Sequence, residues 1–185
     1  MLNDLHGEEV QIVAASYAGP AGIDAINQYF HGVNAAGKPT FGGFAHGDPC
    51  IWTVNDYDRG LWNGSLGPIA TIGPHSLIAE FGGVPHDVGH GELDRIDLAY
   101  CISVLRAQGS QFANVIMPVT PGFNVDRTML YTGITRAVKR AILIGSQPVL
   151  TKAIAEVPRA LTRDVALVCL RMLSEGNLLG FERIG

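Results

Sequence analysis

At 185 residues the chain is long enough for one domain with a sizeable core, or for one domain carrying a small insert. Hydrophobic residues make up 47% and charged residues 16%, which excludes a disordered chain, and neither a membrane-length apolar run nor a signal peptide at the polar start Met1-Leu-Asn-Asp-Leu-His6 is present. The net charge of −4 hides an asymmetry: residues 1–97 hold 3 Lys/Arg and 12 Asp/Glu, for −9, whereas residues 98–185 hold 10 and 5, for +5.

Glu9-Val-Gln-Ile-Val-Ala-Ala15 is a short apolar run that reads as a buried strand. A turn-rich link, Ser16-Tyr-Ala-Gly-Pro-Ala-Gly22, leads to a helix over residues 23–30, with Ile23, Ile26 and Phe30 expected to face a core. Residues 33–43 are glycine-rich and polar, a linker by composition. Residues 47–94 then read as a separate small β unit, with strands over 49–54, 69–72 and 76–81. Asn63-Gly64 is its hairpin signal, because both residues tolerate positive φ. His86-Asp-Val-Gly-His-Gly-Glu92 gathers two imidazoles and two carboxylates, but its glycines deny it the helical geometry of a metal-binding His pair. An exposed loop is expected there, and no metal site.

The second half opens on a buried strand of a parallel sheet over residues 98–104, followed by the polar turn Arg106-Ala-Gln-Gly-Ser-Gln111. Asn114-Val-Ile-Met-Pro118 is an apolar strand, and residues 127–138 form a helix bearing Thr-Gly-Ile-Thr-Arg136-Ala. Arg140-Ala-Ile-Leu-Ile-Gly145 is apolar past Arg140, as a central parallel strand should be. A helix is expected over 148–157, and a last one over 164–175, capped by Asp164. Cys50, Cys101 and Cys169 are far apart and read as buried small hydrophobes in a reducing, cytoplasmic setting. Arg136 is the residue expected to carry most of the chemistry, since a guanidinium beside a transferring phosphoryl group stabilises charge as it develops. A basic half bearing such a motif is the electrostatic footprint of a phosphate-rich ligand.

Two of these stretches resemble known motifs. Leu98-Ala-Tyr-Cys-Ile-Ser-Val-Leu-Arg-Ala-Gln-Gly-Ser-Gln-Phe112 resembles motif V of RecD-type superfamily 1 DNA helicases, which runs roughly Ala-Tyr-Ala-x-Thr-x-His-Lys-x-Gln-Gly-x-Glu-Phe. Leu130-Tyr-Thr-Gly-Ile-Thr-Arg-Ala-Val-Lys-Arg140 resembles their motif VI, Tyr-Thr-x-x-Thr-Arg-Ala. More weakly, the likeness covers residues 9–163: Gly19-Pro20 after the first strand fits the motif IV region, and Gly47-Asp48, Thr53-Val-Asn-Asp-Tyr57 and Trp62-Asn-Gly64 fit the RecD-type insert.

The resemblance implies an α/β fold, a RecA-like parallel sheet with flanking helices, interrupted by a small Src-homology-type β-barrel. Residues 1–42 and 95–185 would form the second motor domain and 43–94 the barrel. Arg136 would be an arginine finger, with Gly109 and Gln111 near the nucleotide. Ser103, Arg106 and Gln108 would meet single-stranded DNA, joined by Asn55 and Tyr57 of the insert, since aromatics stack on bases without sequence preference. Three positions depart from the family: Ala18 where many relatives have a basic residue, Leu105 for the histidine and Gln111 for the glutamate. The chain contains neither a phosphate-binding loop nor an acidic pair for magnesium, so ATP and Mg²⁺ would be held by an N-terminal RecA-like domain supplied in cis or as a subunit. The implied function is the C-terminal motor domain of an ATP-dependent helicase of 5′-to-3′ polarity, with this chain alone inactive. Alternatives are a non-catalytic DNA-binding or scaffold module on the same fold, and a peptide-binding adaptor built on the barrel.

Overall fold

The computed structural model describes residues 9–121 and 125–155. The expected helix over 164–175, residues 178–185, Cys169 and the polar start lie outside the described residues. In chain order the elements are β1 (Val10–Ala14), α1 (Ile23–Ala35), β2 (Thr40–Phe41), β3 (Phe44–Ala45), β4 (Pro49–Trp52), β5 (Leu66–Ile72), β6 (Ser76–Phe81) and β7 (Val84–Gly89). A 3-10 turn (His90–Arg95) leads to β8 (Ile96–Leu98), β9 (Cys101–Ser103), β10 (Phe112–Val119), α2 (Arg127–Ile134), β11 (Ala137–Gly145) and α3 (Gln147–Ala155).

Four strands make a parallel sheet in the order β11-β10-β1-β9. Neighbouring residues of β1 feed opposite faces of it. Val13 joins Val115, Met117 and Val119 in a core closed by Leu130 of α2 and Ala153 of α3. Ala14 joins Cys101 and Ile23 of α1 on the other face, with Ile12 and Ile26 packed against them. Helices therefore cover both faces, as a parallel sheet requires. In α1 the expected inner residue Phe30 is 39% exposed and stacks on Tyr100, with ring centroids 5.7 Å apart. Asn27 takes the inward position instead.

The expected strand over 98–104 is divided between two sheets. Leu98 ends β8, paired antiparallel with Cys50, and only Cys101–Ser103 joins the parallel sheet. Two buried amides satisfy the backbone at this change of sheet. Gln11 Nε2 donates to the Ala99 and Tyr100 carbonyls at 3.1 and 3.2 Å. Asn27 Nδ2 donates to the Leu98 and Cys101 carbonyls, and its oxygen accepts from the Cys101 N–H at 2.8 Å. Buried backbone groups left by a ladder need such partners.

β7-β6-β5-β4-β8 form a second, antiparallel sheet with its own core of Cys50, Trp52, Ile69, Leu77, Phe81, Val88 and Ile96. The β2–β3 hairpin adds Phe41 and Phe44 to that core. Two local expectations change. At Asn63-Gly64 only Gly64 has positive φ, +101°, within a turn closed by the Ser65 N–H on the Trp62 carbonyl, the pattern of a type II turn rather than a two-residue hairpin. The two-residue hairpin is at Gly82-Gly83, with φ +59° and +82° between the paired Phe81 and Val84. The expected loop at 86–92 is likewise strand β7 up to Gly89, templated residue by residue on β6.

β11 is longer than expected and lies at the end of the row rather than in the middle of the sheet. Ile144, paired with Pro118, is 51% exposed.

Asp48 ties the two sheets together. Its side chain is fully buried and accepts from the Ala45 N–H at 2.7 Å, Tyr100 Oη at 2.7 Å and Asn34 Nδ2 at 2.8 Å. His31 Nδ1 is 2.8 Å away and carries a proton towards it, because an ionised carboxylate only accepts. Burial pushes this carboxyl up, but the four bonds together outweigh burial and hold it below its ordinary value. The start of the antiparallel sheet, Tyr100 just past its last strand and helix α1 thus share one buried anion. Burial pushes the Cys101 thiol up to about 12, and burial with the Asp48 charge does the same to Cys50. Among the described residues no helix is long and apolar enough to cross a membrane.

Candidate functional site

The sequence-predicted residues fall into two groups at opposite ends of parallel strands. Gln111 and Arg136 immediately precede β10 and β11, whose first residues, Phe112 and Ala137, are register partners. Ser103 ends β9, and Arg106 lies in the crossover that follows.

Arg136 does not lie on a helix as expected. α2 stops at Ile134, and Arg136 occupies the turn before β11. Its Nε donates to the Thr132 carbonyl at 3.2 Å, Nη2 to Thr135 Oγ1 at 3.2 Å and Nη1 to the Ser110 carbonyl at 3.3 Å. Its own carbonyl accepts from the Phe112 N–H at 2.9 Å. The arginine therefore links the two recognised motifs directly. All three acceptors of the guanidinium are neutral, so an anion arriving here would gain charge-assisted bonds that these acceptors do not provide.

The crossover explains its own sequence. Ser103 Oγ accepts from the Arg106 N–H at 3.1 Å, and the Ala107 N–H bonds the Ser103 carbonyl at 3.0 Å, which starts a compact turn. Gly109 has φ +88°, a conformation L side chains rarely adopt, and a β-carbon there would meet nothing within 4 Å. The glycine thus serves the backbone, and the space beside it is open. Gln108 and Gln111 are exposed on either side of it, and Leu105 is 65% exposed where the family motif has histidine.

Ser103 and Arg106 line a groove of about 490 Å³ together with Tyr17, Asp24, Gln28 and Asp97. The turn after β4 comes close to the crossover. A β-carbon on Gly64 would lie 3.9 Å from the Arg106 carbonyl oxygen, so the Trp62–Ser65 turn abuts the crossover. Asn55 Oδ1 accepts from the Asn63 N–H at 2.9 Å and so shapes that turn. Tyr57, 73% exposed, meets Trp62, 57% exposed, edge to face at 5.4 Å. Arg59 and Arg95 each pair with both Asp56 and Glu92. Trp62 is the surface residue that sequence reasoning left out of the site. Its signal was available, a tryptophan beside a turn dipeptide. Ala18, in the loop after β1, lines a separate cavity of about 400 Å³ with Gly19, Pro20, Pro118 and Thr120. Among the described residues no group of three or more metal-ligating side chains occurs.

Comparison with known proteins bears on these motifs. Residues 98–144 match the model of the UvrD-like helicase C-terminal domain. The chain is 30% identical over 154 residues to the RecBCD enzyme subunit RecD of Mycobacterium tuberculosis, covering 80% of this chain and 27% of that protein. It is 30% identical over 158 residues to the ATP-dependent RecD2 DNA helicase of Deinococcus radiodurans, covering 79% and 21%. The chain thus spans about a quarter of the length of these relatives. In fold it is similar to a Bacteroides Pif1 helicase solved with ADP-AlF3 and ssDNA, with TM-score 0.57, 14% identity and coverage of 90% of this chain and 46% of that one. The Pif1 helicase of Candida albicans gives TM-score 0.54 at 14% identity, covering 83% and 48%. In sequence the chain is thus similar to the C-terminal region of RecD-type DNA helicases.

Proposed function

We propose that this chain is the second motor domain of an ATP-dependent DNA helicase working 5′ to 3′. The observation that carries the reading is Arg136, which joins the two motifs through the Ser110 carbonyl at one end of the parallel sheet. Gln111 and Gly109 lie beside it as the nucleotide-facing edge, open enough to receive a ligand. ATP with Mg²⁺, held by an N-terminal RecA-like domain, supplies the phosphoryl group whose charge Arg136 meets. This chain alone is expected to hydrolyse no ATP, since its sequence holds no phosphate-binding loop. Single-stranded DNA is assigned to the other end, along Ser103, Arg106 and Gln108, with Tyr57, Trp62 and Asn55 of the insert offering a stacking edge. The residues proposed as the motor domain are 1–42 and 95–185, with 43–94 as the insert. The buried thiols of Cys50 and Cys101 suit a reducing, cytoplasmic setting.

The test is steady-state kinetics on the full-length parent. Arg136→Ala is expected to lower kcat for ATP hydrolysis by roughly 10³-fold, with a smaller effect on nucleotide affinity. Lysine should rescue poorly, because a point charge lacks the planar fork of donors. Lys139 and Arg140, exposed on β11, serve as controls and should stay near wild type as alanine. Wild-type turnover in Arg136→Ala with failure of Arg140→Ala would refute the assignment. One observation favours the second reading, a non-catalytic DNA-binding or scaffold module: Leu105 presents an exposed apolar side chain where the family motif has a polar one. Full ATPase inactivity of the parent with intact DNA binding would select it.

A further inference from the structure

Arg106, the cation assigned to the DNA backbone, is already engaged. Its Nη1 bonds Asp97 Oδ2 at 2.8 Å, and the two side chains are 30% and 54% exposed. Both line the same groove as Ser103. Asp97 belongs to β8, in the antiparallel sheet, and pairs with Ile51, whereas Arg106 belongs to the crossover of the parallel sheet. The ion pair is therefore a clasp between the two units, lying in the groove itself.

We propose that Asp97 occupies the seat of a nucleic-acid phosphate in the unliganded chain and gates Arg106 by competing for it. The inference rests on the reading of this groove as the single-stranded DNA site. Its physical basis is the weakness of the incumbent. An ion pair this exposed is screened by water and contributes little, so a better acceptor can displace it. A backbone phosphodiester brings two non-bridging acceptor oxygens and the geometry for a bidentate guanidinium contact, which one Asp97 oxygen at one Nη does not match. The backbone of Arg106 is meanwhile held by Ser103 Oγ, so only the side chain has to turn. In the absence of DNA the carboxylate keeps the groove from holding stray anions. On binding, release of Asp97 also frees β8 from the crossover, which couples phosphate contact to the seating of the insert.

The experiment measures binding of the chain to oligo-dT and, separately, to inorganic tripolyphosphate at two salt concentrations. Asp97→Asn should tighten both by about 2- to 5-fold, the range set by a surface ion pair. Arg106→Ala should weaken both and reduce the salt slope for oligo-dT by about 1. In the Arg106→Ala background Asp97→Asn should change nothing, because the carboxylate acts through the arginine. Equal tightening in both backgrounds would show mere relief of negative charge and overturn the gate, as would no tightening of either ligand. Tightening of tripolyphosphate by Asp97→Asn with no oligo-dT bound under any condition would uphold the gate and sink the DNA reading instead. Thermal melts of each variant check that the fold is unchanged.

Discussion

Asp48 and Arg136 each hold several hydrogen bonds, and their surroundings differ in every other respect. Asp48 is wholly buried, and its partners come from three separate segments: α1, Ala45 of β3 and Tyr100. Arg136 is half-buried, and its partners are neutral acceptors at 3.2–3.3 Å, two of them within four residues in sequence. Losing Asp48 would strand the buried Ala45 N–H and three part-buried side-chain donors at once. Losing Arg136 strips a donor from two part-buried carbonyls and from a hydroxyl that keeps its own bond to the Thr132 carbonyl. The first arrangement fixes structure, and the second leaves a cation able to exchange partners. The Asp97–Arg106 clasp is of the second kind, an exposed pair between groups that water also solvates.

The largest expected effect therefore falls on the buried anion. Asp48→Ala should cost about 3–5 kcal/mol in urea denaturation, the range for breaking a buried charged network. Arg136→Ala should cost far less in the same measurement while lowering kcat in the parent by roughly 10³-fold. If the two variants lose equal stability, the distinction between a structural and an exchangeable charge fails. Acid sharpens the same point. The folded pKa of Asp48 lies below its ordinary value of 3.8, so its contribution is fully present above that value and is lost as pH falls through the folded pKa. Stability of the wild type should then fall more steeply below pH 4 than that of Asp48→Asn, which has no carboxyl to protonate.

Gly109 gives the next effect in size. Its φ of +88° strains any L side chain although the space around it is open. Gly109→Ala should cost about 1–2 kcal/mol, the penalty of the left-handed region, with no steric clash added. A melt indistinguishable from wild type would mean that the crossover relaxes, and that the positive φ is not required.

These residues also show where the sequence was legible. The parallel sheet could be read because its strands are apolar runs and its motifs keep the family order, so β1, β10 and α2 fall close to their expected places. Gln111 and Arg136 can be named from motif letters alone, but the bond from Arg136 to Ser110, the residue before Gln111, depends on the register of β10 and β11, which no local pattern encodes. The single strand expected over residues 98–104 is divided for a similar reason. Leu98-Ala-Tyr-Cys-Ile looks like one continuous strand, and only the side-chain amides of Gln11 and Asn27 let the backbone change sheets in its middle. β7 was hidden because Pro85, His86, Asp87 and Gly89 are poor strand formers, and a Gly-Gly turn with pairing to β6 overrides that preference. Asp97 drew no notice, since an acidic residue near a basic motif has no meaning until the distance between them is known.

The smallest expected effect concerns α2, which presents the Thr132 carbonyl to Arg136. This helix has eight residues and depends on its ends. Asp126, with extended φ and ψ, caps it through Oδ1, which accepts from the Met129 N–H at 2.8 Å. Asp126→Ala should cost about 1 kcal/mol, the usual penalty for a lost cap. Asp126→Ser should recover most of that, because its hydroxyl keeps an acceptor in place, falling short only by the charge that favours a helix N-terminus. The far end of α2 is anchored differently. A β-carbon on Gly133 would come within 2.7 Å of Met117 Sδ, so the helix already lies against β10 there. The cap loss should then stay in the first turn and leave the Thr132–Arg136 bond in place. Hydrogen exchange checks this directly: Asp126→Ala should speed exchange at Met129 and leave Arg136 unchanged. Faster exchange at both would mean that α2 opens as one unit, and that the seat of the arginine is only as stable as the cap eight residues before Ile134.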